Sequence, residues 1–354
     1  MPANRYIAIM AGGIGSRFWP SSTEVRPKQF LDILGVGKSL IRMTFERALR
    51  LVPADHILIV TNKMYSALVK EHLPELPAQN ILCEPSMNNT APAIAYTSLR
   101  IHVLDENAVF AVLPADHIIL KENEYVSKLE QAFDFAAEND AIVTLGIQPT
   151  RPDTGYGYIE YLSSRTDDRK IFKVKSFKEK PDIITAQHYI DSKSYLWNAG
   201  MFVWSVPTIL KSFRKNAPDI LDTLTHQKEL FGTPSEQAYI DRVYPGTQKI
   251  SVDYAILERA DNVYTIPADI GWSDLGTWNS LHAFLSTDSD NVKIGKNIHL
   301  IDSKDIIVIS KNHKTIVIKG LEDYIVVDED EALLIYPKSD EQEIKEVVAK
   351  LRIC

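Results

Sequence analysis

The segment Ala11-Gly12-Gly13-Ile14-Gly15-Ser16-Arg17 sets three glycines ahead of a guanidinium. Glycine lets a backbone approach an anion closely and adopt positive φ, so successive amides converge on phosphate oxygens. A tight structural turn uses glycine in the same way, and the loop alone leaves both options open. Arg17 and Lys28 lie close behind, the latter in Arg26-Pro27-Lys28. A guanidinium forks onto paired oxygens and an ammonium supplies a compact charge. Together they suit a triphosphate, whose charge must be neutralised before another phosphate can attack it. Two other phosphate-binding loops are excluded. A P-loop needs Lys and then Ser or Thr after its last glycine, and Ser16-Arg17 stands there instead. A dinucleotide fingerprint needs a third glycine where Phe18 stands, and an acidic residue where Thr61-Asn62 ends the next apolar run.

The elements around this loop alternate. Tyr6–Met10, Ile57–Thr61, Ile81–Cys83, Val109–Leu113 and Ile142–Gly146 are short apolar runs of strand type. Between them, Ser39–Leu51, Tyr65–His72, Ala91–Val103 and Tyr125–Glu138 carry helical spacing. Alternation of this kind predicts an α/β fold with a mostly parallel sheet covered on both faces. Ligands of such sheets sit beyond the carboxyl ends of the strands, where the glycine loop and Asp116 both fall. From Thr154 to about Ser286 the pattern is mixed, which predicts a second lobe inserted into or appended to the same sheet. After Ser286, β-rich pieces recur about every nine residues, suggesting a small all-β domain, β-helix-like, before a charged amphipathic helix over Asp340–Leu351. The expected division is therefore 1–286 for a catalytic domain and 287–354 for a small β-rich domain ending in a helix.

Composition narrows the classes. The chain has 354 residues, 45% hydrophobic and 24% charged, with a net charge of −8. That balance disfavours general nucleic-acid binding, although a local positive cluster still serves a nucleotide. Cys83 and Cys354 make no disulfide framework and read as unpaired thiols of a reducing compartment. No signal peptide and no apolar run of membrane-spanning length is evident, so the expectation is a cytoplasmic protein with no membrane partner.

With GG-x-G-x-R and Pro27-Lys28 in place, the sequence resembles the sugar nucleotidyltransferases. Further matches point to their mannose-1-phosphate guanylyltransferase branch. These are Cys83-Glu84-Pro85 with Asn89-Thr90-Ala91-Pro92, Leu113-Pro114-Ala115-Asp116-His117 and Phe177-Lys178-Glu179-Lys180-Pro181. Trp197-Asn198-Ala199-Gly200, Ser251-Val252-Asp253-Tyr254 and Gly271-Trp272-Ser273-Asp274-Leu275-Gly276 complete the set, in the family's order. One position departs: the family commonly has Arg before the Asn-Thr-Ala-Pro run, where this chain has Asn88.

The resemblance implies a Rossmann-like, doubly wound nucleotidyltransferase fold. It also implies a reaction in which mannose 1-phosphate attacks the α-phosphorus of GTP in line, giving GDP-mannose and pyrophosphate without a covalent enzyme intermediate. Mg²⁺ is the implied cofactor, with Asp116 and Asp274 as its carboxylate ligands. Arg17, Lys28 and Lys180 are the implied catalytic cations, Lys180 on the sugar phosphate. Glu179, Gly157 and Asn198 would form the sugar pocket. Guanine has an O6 acceptor and N1 and N2 donors, for which Glu84, Asn89 and Thr90 have suitable chemistry beside the Gly12 backbone. Asp253 is open between a structural and a substrate-facing role, and Trp19, Trp197, Trp272 and Trp278 between stacking and core. Three alternatives remain: another pair such as glucose 1-phosphate with UTP, ATP or dTTP; a non-catalytic GDP-mannose-binding regulator; and an oxidoreductase, weakened by the missing fingerprint. Short exposed strands invite pairing unless covered, which predicts a homodimer.

Overall fold

The computed structural model describes residues 4–162, 170–286 and 291–351. Cys354 and the first three residues lie outside them. The chain forms two compact units, each assembled from separated stretches of sequence. The first takes Met1–Gly12, Phe45–Pro114 and Ile119–Trp272; the second takes Gly13–Thr44, Ala115–Ile118 and Ser273–Cys354.

Strands β1 (Arg5–Ala11), β2 (Ile57–Asn62), β3 (Ile81–Glu84) and β4 (Val109–Pro114) are the apolar runs seen in the sequence. Helices α1 (Leu40–Ala48), α2 (Ser66–His72) and α3 (Thr90–Leu104) alternate with them. In the first unit these strands lie in the order β3-β2-β1-β4, all parallel, with Ile9 opposite both Ile59 and Leu113. They are buried almost without alternation, as strands covered on both faces must be. A two-residue strand β5 (Ile118–Ile119) and helix α4 (Glu122–Glu138) lead to β6 (Ile142–Ile147), β7 (Tyr158–Tyr161) and β8 (Phe172–Lys178). Helix α5 (Ile183–Ser192) then precedes the eleven-residue β9 (Tyr195–Ser205).

Three helices follow, α6 (Val206–Asn216), α7 (Pro218–Thr225) and α8 (Glu236–Val243), and then β10 (Val263–Pro267). The sheet continues beyond β4 as β9-β6-β10-β8-β7. The segment after Thr154 is therefore appended to the same sheet. Pairing there is mixed, because β9 runs against both β4 and β6 while β6 and β10 are parallel. Helices α5 to α8 were hidden in the mixed pattern, yet their starts carry local signals. Asp182 accepts from the Thr185 amide at 2.9 Å, and Ser205 caps α6 ahead of Pro207. Helix α3 is buried on nearly every side and joins Tyr96, Phe110, Trp204, Phe213 and Tyr239 in one core. No helix among the described residues is long and apolar enough to cross a membrane.

After β11 (Trp272–Ser273), where the chain passes from the first unit to the second, helix α9 (Trp278–Leu285) leads into six short strands: β12 (Val292–Ile294), β13 (Ile298–Ile301), β14 (Ile307–Ser310), β15 (Ile316–Lys319), β16 (Tyr324–Asp328) and β17 (Leu333–Pro337). They pair by skipping: β12-β14-β16 are parallel, β13 pairs parallel with β15, and β17 closes the larger sheet antiparallel to β16. Ile298 pairs with Ile316 and Ile307 with Ile325, eighteen residues on in each case. The nine-residue spacing in the sequence is thus half a turn of a β-helix-like coil. Ile298, Ile306, Val308 and Val326 form one core cluster. A second joins Ile307, Ile309, Ile325 and Val327 to Phe18, Ile33, Leu275 and Trp278, so the glycine loop's own unit is floored by the C-terminal strands. Helix α10 (Ile344–Leu351) ends the described chain, with Ile344 in that second cluster.

Candidate active site

The glycine loop begins where β1 ends. Gly15 sits at φ 73°, and a Cβ there would meet the Lys28 Cβ at 2.5 Å, so glycine is required on both counts. A Cβ on Gly13 would meet nothing within 4 Å, leaving that backbone open to approach. The loop is braced from behind: the Lys28 amide donates to the Ile14 carbonyl at 3.2 Å and the Ser22 hydroxyl to the same oxygen at 2.6 Å.

Lys28 is 4% exposed, and its Nζ donates to the Asp274 carbonyl at 2.7 Å and the Leu275 carbonyl at 2.8 Å while pairing with Asp116 Oδ2 at 2.9 Å. An ammonium has three N–H bonds, and these three oxygens account for them. The sequence aimed Lys28 at a phosphate. The structure makes it the tie between the two carboxylate-bearing segments. Burial alone would raise the Asp116 pKa, but the Lys28 ammonium, with His117 and further hydrogen bonds, outweighs it and holds the carboxyl below its usual range. Asp274 accepts from the Gly276 amide at 2.9 Å. Arg17 is exposed, its Nε donating to Gln342 at 3.1 Å. Arg17, Lys28, Asp116 and Asp274 line a cleft of about 320 Å³ together with Gly15, Ser16, His117 and Lys345. Lys345 was not foreseen, because a lysine on an amphipathic C-terminal helix carries no sequence signal of its own.

Among the described residues no three His, Cys, Asp or Glu side chains gather as metal ligands. The cleft instead offers two carboxylates, Asp116 and Asp274. That donor set fits a hard dication such as Mg²⁺, which takes one or two carboxylates and completes its shell with water and phosphate oxygens.

The other predicted residues lie in the first unit, in two groups. At the carboxyl ends of β1 and β3, a Cβ on Gly12 would sit 3.5 Å from Glu84 Oε2, and Thr61 Oγ1 fixes the Ala11 carbonyl at 2.9 Å. Glu84 is 7% exposed and accepts from the Tyr244 hydroxyl. Burial pushes its pKa from 4.5 up to about 7, against the lowering effect of that hydrogen bond. Asn89 holds φ 70° at the start of α3, where its side chain accepts from the Thr90 amide. The Thr90 hydroxyl accepts from the Val252 amide at 2.9 Å. Asn88 is buried, and its amide group donates to the Tyr244 and Thr247 carbonyls and the Thr247 hydroxyl at 2.9–3.1 Å. The departure at this position is thus a structural clamp, not a surface contact.

The second group joins Gly157, Glu179, Lys180 and Asn198. The Asn198 amide donates to the Gly157 carbonyl at 2.8 Å, and a Cβ on Gly157 would lie 2.5 Å from Glu179 Oε2. Lys180 pairs with Glu179 at 3.2 Å. Asn198 Nδ2 donates to Asp253 Oδ1 at 3.1 Å, which brings Asp253 into the group. Burial raises the Asp253 pKa to about 6, and the nearby Glu179 charge adds to it. Trp197 and Trp278 are core residues, whereas Trp19 and Trp272 are only half-buried.

Residues 7–291 match the family model of nucleotidyl transferases, and residues 295–351 match the mannose-phosphate isomerase/GMP-like β-helix domain. The chain is 36% identical over 350 residues to a mannose-1-phosphate guanylyltransferase from Salmonella muenchen, covering 97% of this chain and 72% of that one. A mannose-1-phosphate guanylyltransferase from Escherichia coli K12 is 35% identical over 357 residues, covering 98% and 73%. The chain belongs to the nucleotidyl transferase family, in its mannose-1-phosphate guanylyltransferase branch. The fold agrees: a crystal structure from Thermus thermophilus, described as a mannose-1-phosphate geranyltransferase, superposes with a TM-score of 0.89 at 31% identity over 99% of both chains. In this nucleotidyl transferase the glycine loop from Gly13 onward, Lys28 and both carboxylates belong to one unit, while Gly12 and the other residues expected to meet base or sugar belong to the other.

Proposed function

We propose that the protein transfers GMP from GTP to mannose 1-phosphate, giving GDP-mannose and pyrophosphate. The observation that carries this is the cleft where Gly15, Arg17 and Lys345 face the carboxylates of Asp116 and Asp274, held in place by Lys28. Exposed backbone at Gly13 and the Arg17 guanidinium bind the triphosphate and hold it in line with the incoming phosphate. The phosphomonoester is itself the nucleophile, so no residue has to be activated by losing a proton. Asp116 and Asp274 would hold Mg²⁺, which supplies positive charge against phosphate oxygens when bound. Lys28 keeps Asp116 ionised and in position; it acts through Asp116.

The groups of the first unit select the substrates. Glu84, Asn89 and Thr90 recognise guanine beside the Gly12 backbone, and an ionised Glu84 accepts from its N1 and N2 donors. Gly157, Glu179 and Asn198, with Asp253 behind them, hold the mannose hydroxyls, and Lys180 meets the sugar phosphate. In sequence order, residues 1–286 carry the catalytic groups and 287–354 support them. The protein works in the cytoplasm, and the exposed apolar side chains Val317, Leu333 and Ile335 favour a homodimer.

The decisive measurement is pyrophosphate release with mannose 1-phosphate or glucose 1-phosphate against each of GTP, UTP, ATP and dTTP, with Mg²⁺. Turnover with GTP and mannose 1-phosphate well above every other pair is expected. Binding of GDP-mannose without turnover would replace this function by that of a regulator.

A further inference from the structure

A cleft of about 380 Å³ in the first unit is lined by Arg100, Glu236, Tyr96, Gln79 and Gln237 with the Gly232 backbone, and contains none of the substrate groups above. Arg100 lies in the last turns of α3 and its side chain is 9% exposed. Among the described residues its one ion-pair partner is Glu236, reached by Nε at 3.4 Å. That carboxylate is already engaged: Tyr96 donates to Oε1 at 2.9 Å and the Gly232 amide to Oε2 at 2.6 Å. The outer guanidinium nitrogens therefore keep their donors for the cleft. Gly232, at φ 77°, borders them: a Cβ there would stand 3.6 Å from Arg100 Nη1 and 3.1 Å from Val103, so the bare glycine backbone forms that wall. Glu236 is the only carboxylate in the lining, so no second acid competes for the fork.

We propose that this cleft is an effector site for a small oxyanion, a carboxylate or phosphate that docks on the outer edge of Arg100. A planar fork with unused donors in a nearly buried setting is the side chain best suited to such a group. The site communicates with the nucleotide end of the unit through rings. Tyr96, which holds Glu236, stands edge-on to Tyr244 with centroids 6.4 Å apart, and Tyr244 donates to Glu84. An anion that draws Arg100 away from Glu236 shifts Tyr96 and, through Tyr244, the carboxylate assigned to guanine. This second half rests on the assignment of Glu84 above.

The test compares the wild-type chain with Arg100→Gln and with Gln79→Glu, the latter an exposed residue of the same lining whose new carboxylate should compete for the guanidinium. Crystals soaked in tungstate should show an anomalous peak beside Arg100. Inorganic phosphate or succinate should raise the melting temperature of the wild type but not of either variant, and comparing the two tells a phosphate site from a carboxylate site. The better of the two should change the KM for GTP about fivefold in the wild type alone. No peak at Arg100, or equal stabilisation of wild type and Gln79→Glu, overturns the site. Binding with an unchanged KM overturns the effector role. Absence of any GTP turnover would sink the proposed function instead, leaving the tungstate and melting measurements to decide the site by themselves.

Discussion

Lys28 places its only cationic group against three oxygens that belong to the protein. Replacing it with Met leaves the Asp116 carboxylate without its counter-charge and the Asp274 and Leu275 carbonyls without their donor. Lys28→Met and Asp116→Asn should each lower kcat by roughly 10²–10³-fold, the scale of losing one preorganised electrostatic group. Both should change the KM for mannose 1-phosphate little, and single-turnover kinetics would check this. Full activity in either variant would contradict the assignment. Glu84 makes a prediction in pH. Its folded pKa of about 7 lies above its ordinary 4.5, so the folded chain binds the proton more tightly than the unfolded one. Stability from this group is complete below pH 4.5 and falls as pH rises toward 7, by about 3 kcal/mol at most. Glu84→Gln should abolish that slope in urea melts at pH 5 and pH 7.5. The same proton should raise the KM for GTP as pH drops below about 7, because a protonated Glu84 loses an acceptor.

At the scale of elements, the N-terminus of α3 is anchored twice, by the Asn88 amide and by the Thr90 hydroxyl. Asn88→Ala would leave two carbonyls and a hydroxyl buried with fewer donors, and should cost about 2–3 kcal/mol in chemical denaturation. A loss below 0.5 kcal/mol would show that water replaces the amide freely. Gly157→Ala should act differently: its Cβ collides with Glu179 rather than with backbone, so the KM for mannose 1-phosphate should rise while the melting temperature moves little. The strands β1 to β4 and helices α1 to α4 were legible because each is a run of one period, and a glycine or proline ends several of them. Helices α5 to α8 are short and sit among turns in a stretch that reads as mixed; α6 nonetheless sets Val206, Ile209, Leu210 and Phe213 at helical spacing, and Asp182 and Ser205 cap α5 and α6. The site divides the same way. Residues that the resemblance assigns to one pocket, such as Gly157 and Glu179, lie side by side. Tyr244 and Thr247 were missed because they act on motif residues from a stretch with no motif of its own, and Lys345 because the amphipathic helix that carries it marks no single lysine.

The whole molecule is more interleaved than its sequence suggests. The first unit's large core, around Tyr96, Phe110 and Trp204, draws none of the described residues beyond 286. The second unit's core joins Phe18 and Ile33 to Ile307, Ile325 and Val327. A chain cut after Ser286 should therefore keep a cooperative melting transition from the first unit, but bind ANS and lose pyrophosphate release. Retained turnover in that fragment would show that the glycine loop stands without its floor.

That second core also bears on synthesis, because its members are separated by most of the chain. Phe18 leaves the ribosome more than 250 residues before Ile307, an interval on the order of tens of seconds at ordinary elongation rates. Throughout it the nascent glycine loop has Ile33, Leu40 and Ile118 beside Phe18 but lacks the strands that complete its core. The loop's unit is therefore among the last parts to become native, and GTP can help fold it only once Ile307, Ile325 and Val327 have been made.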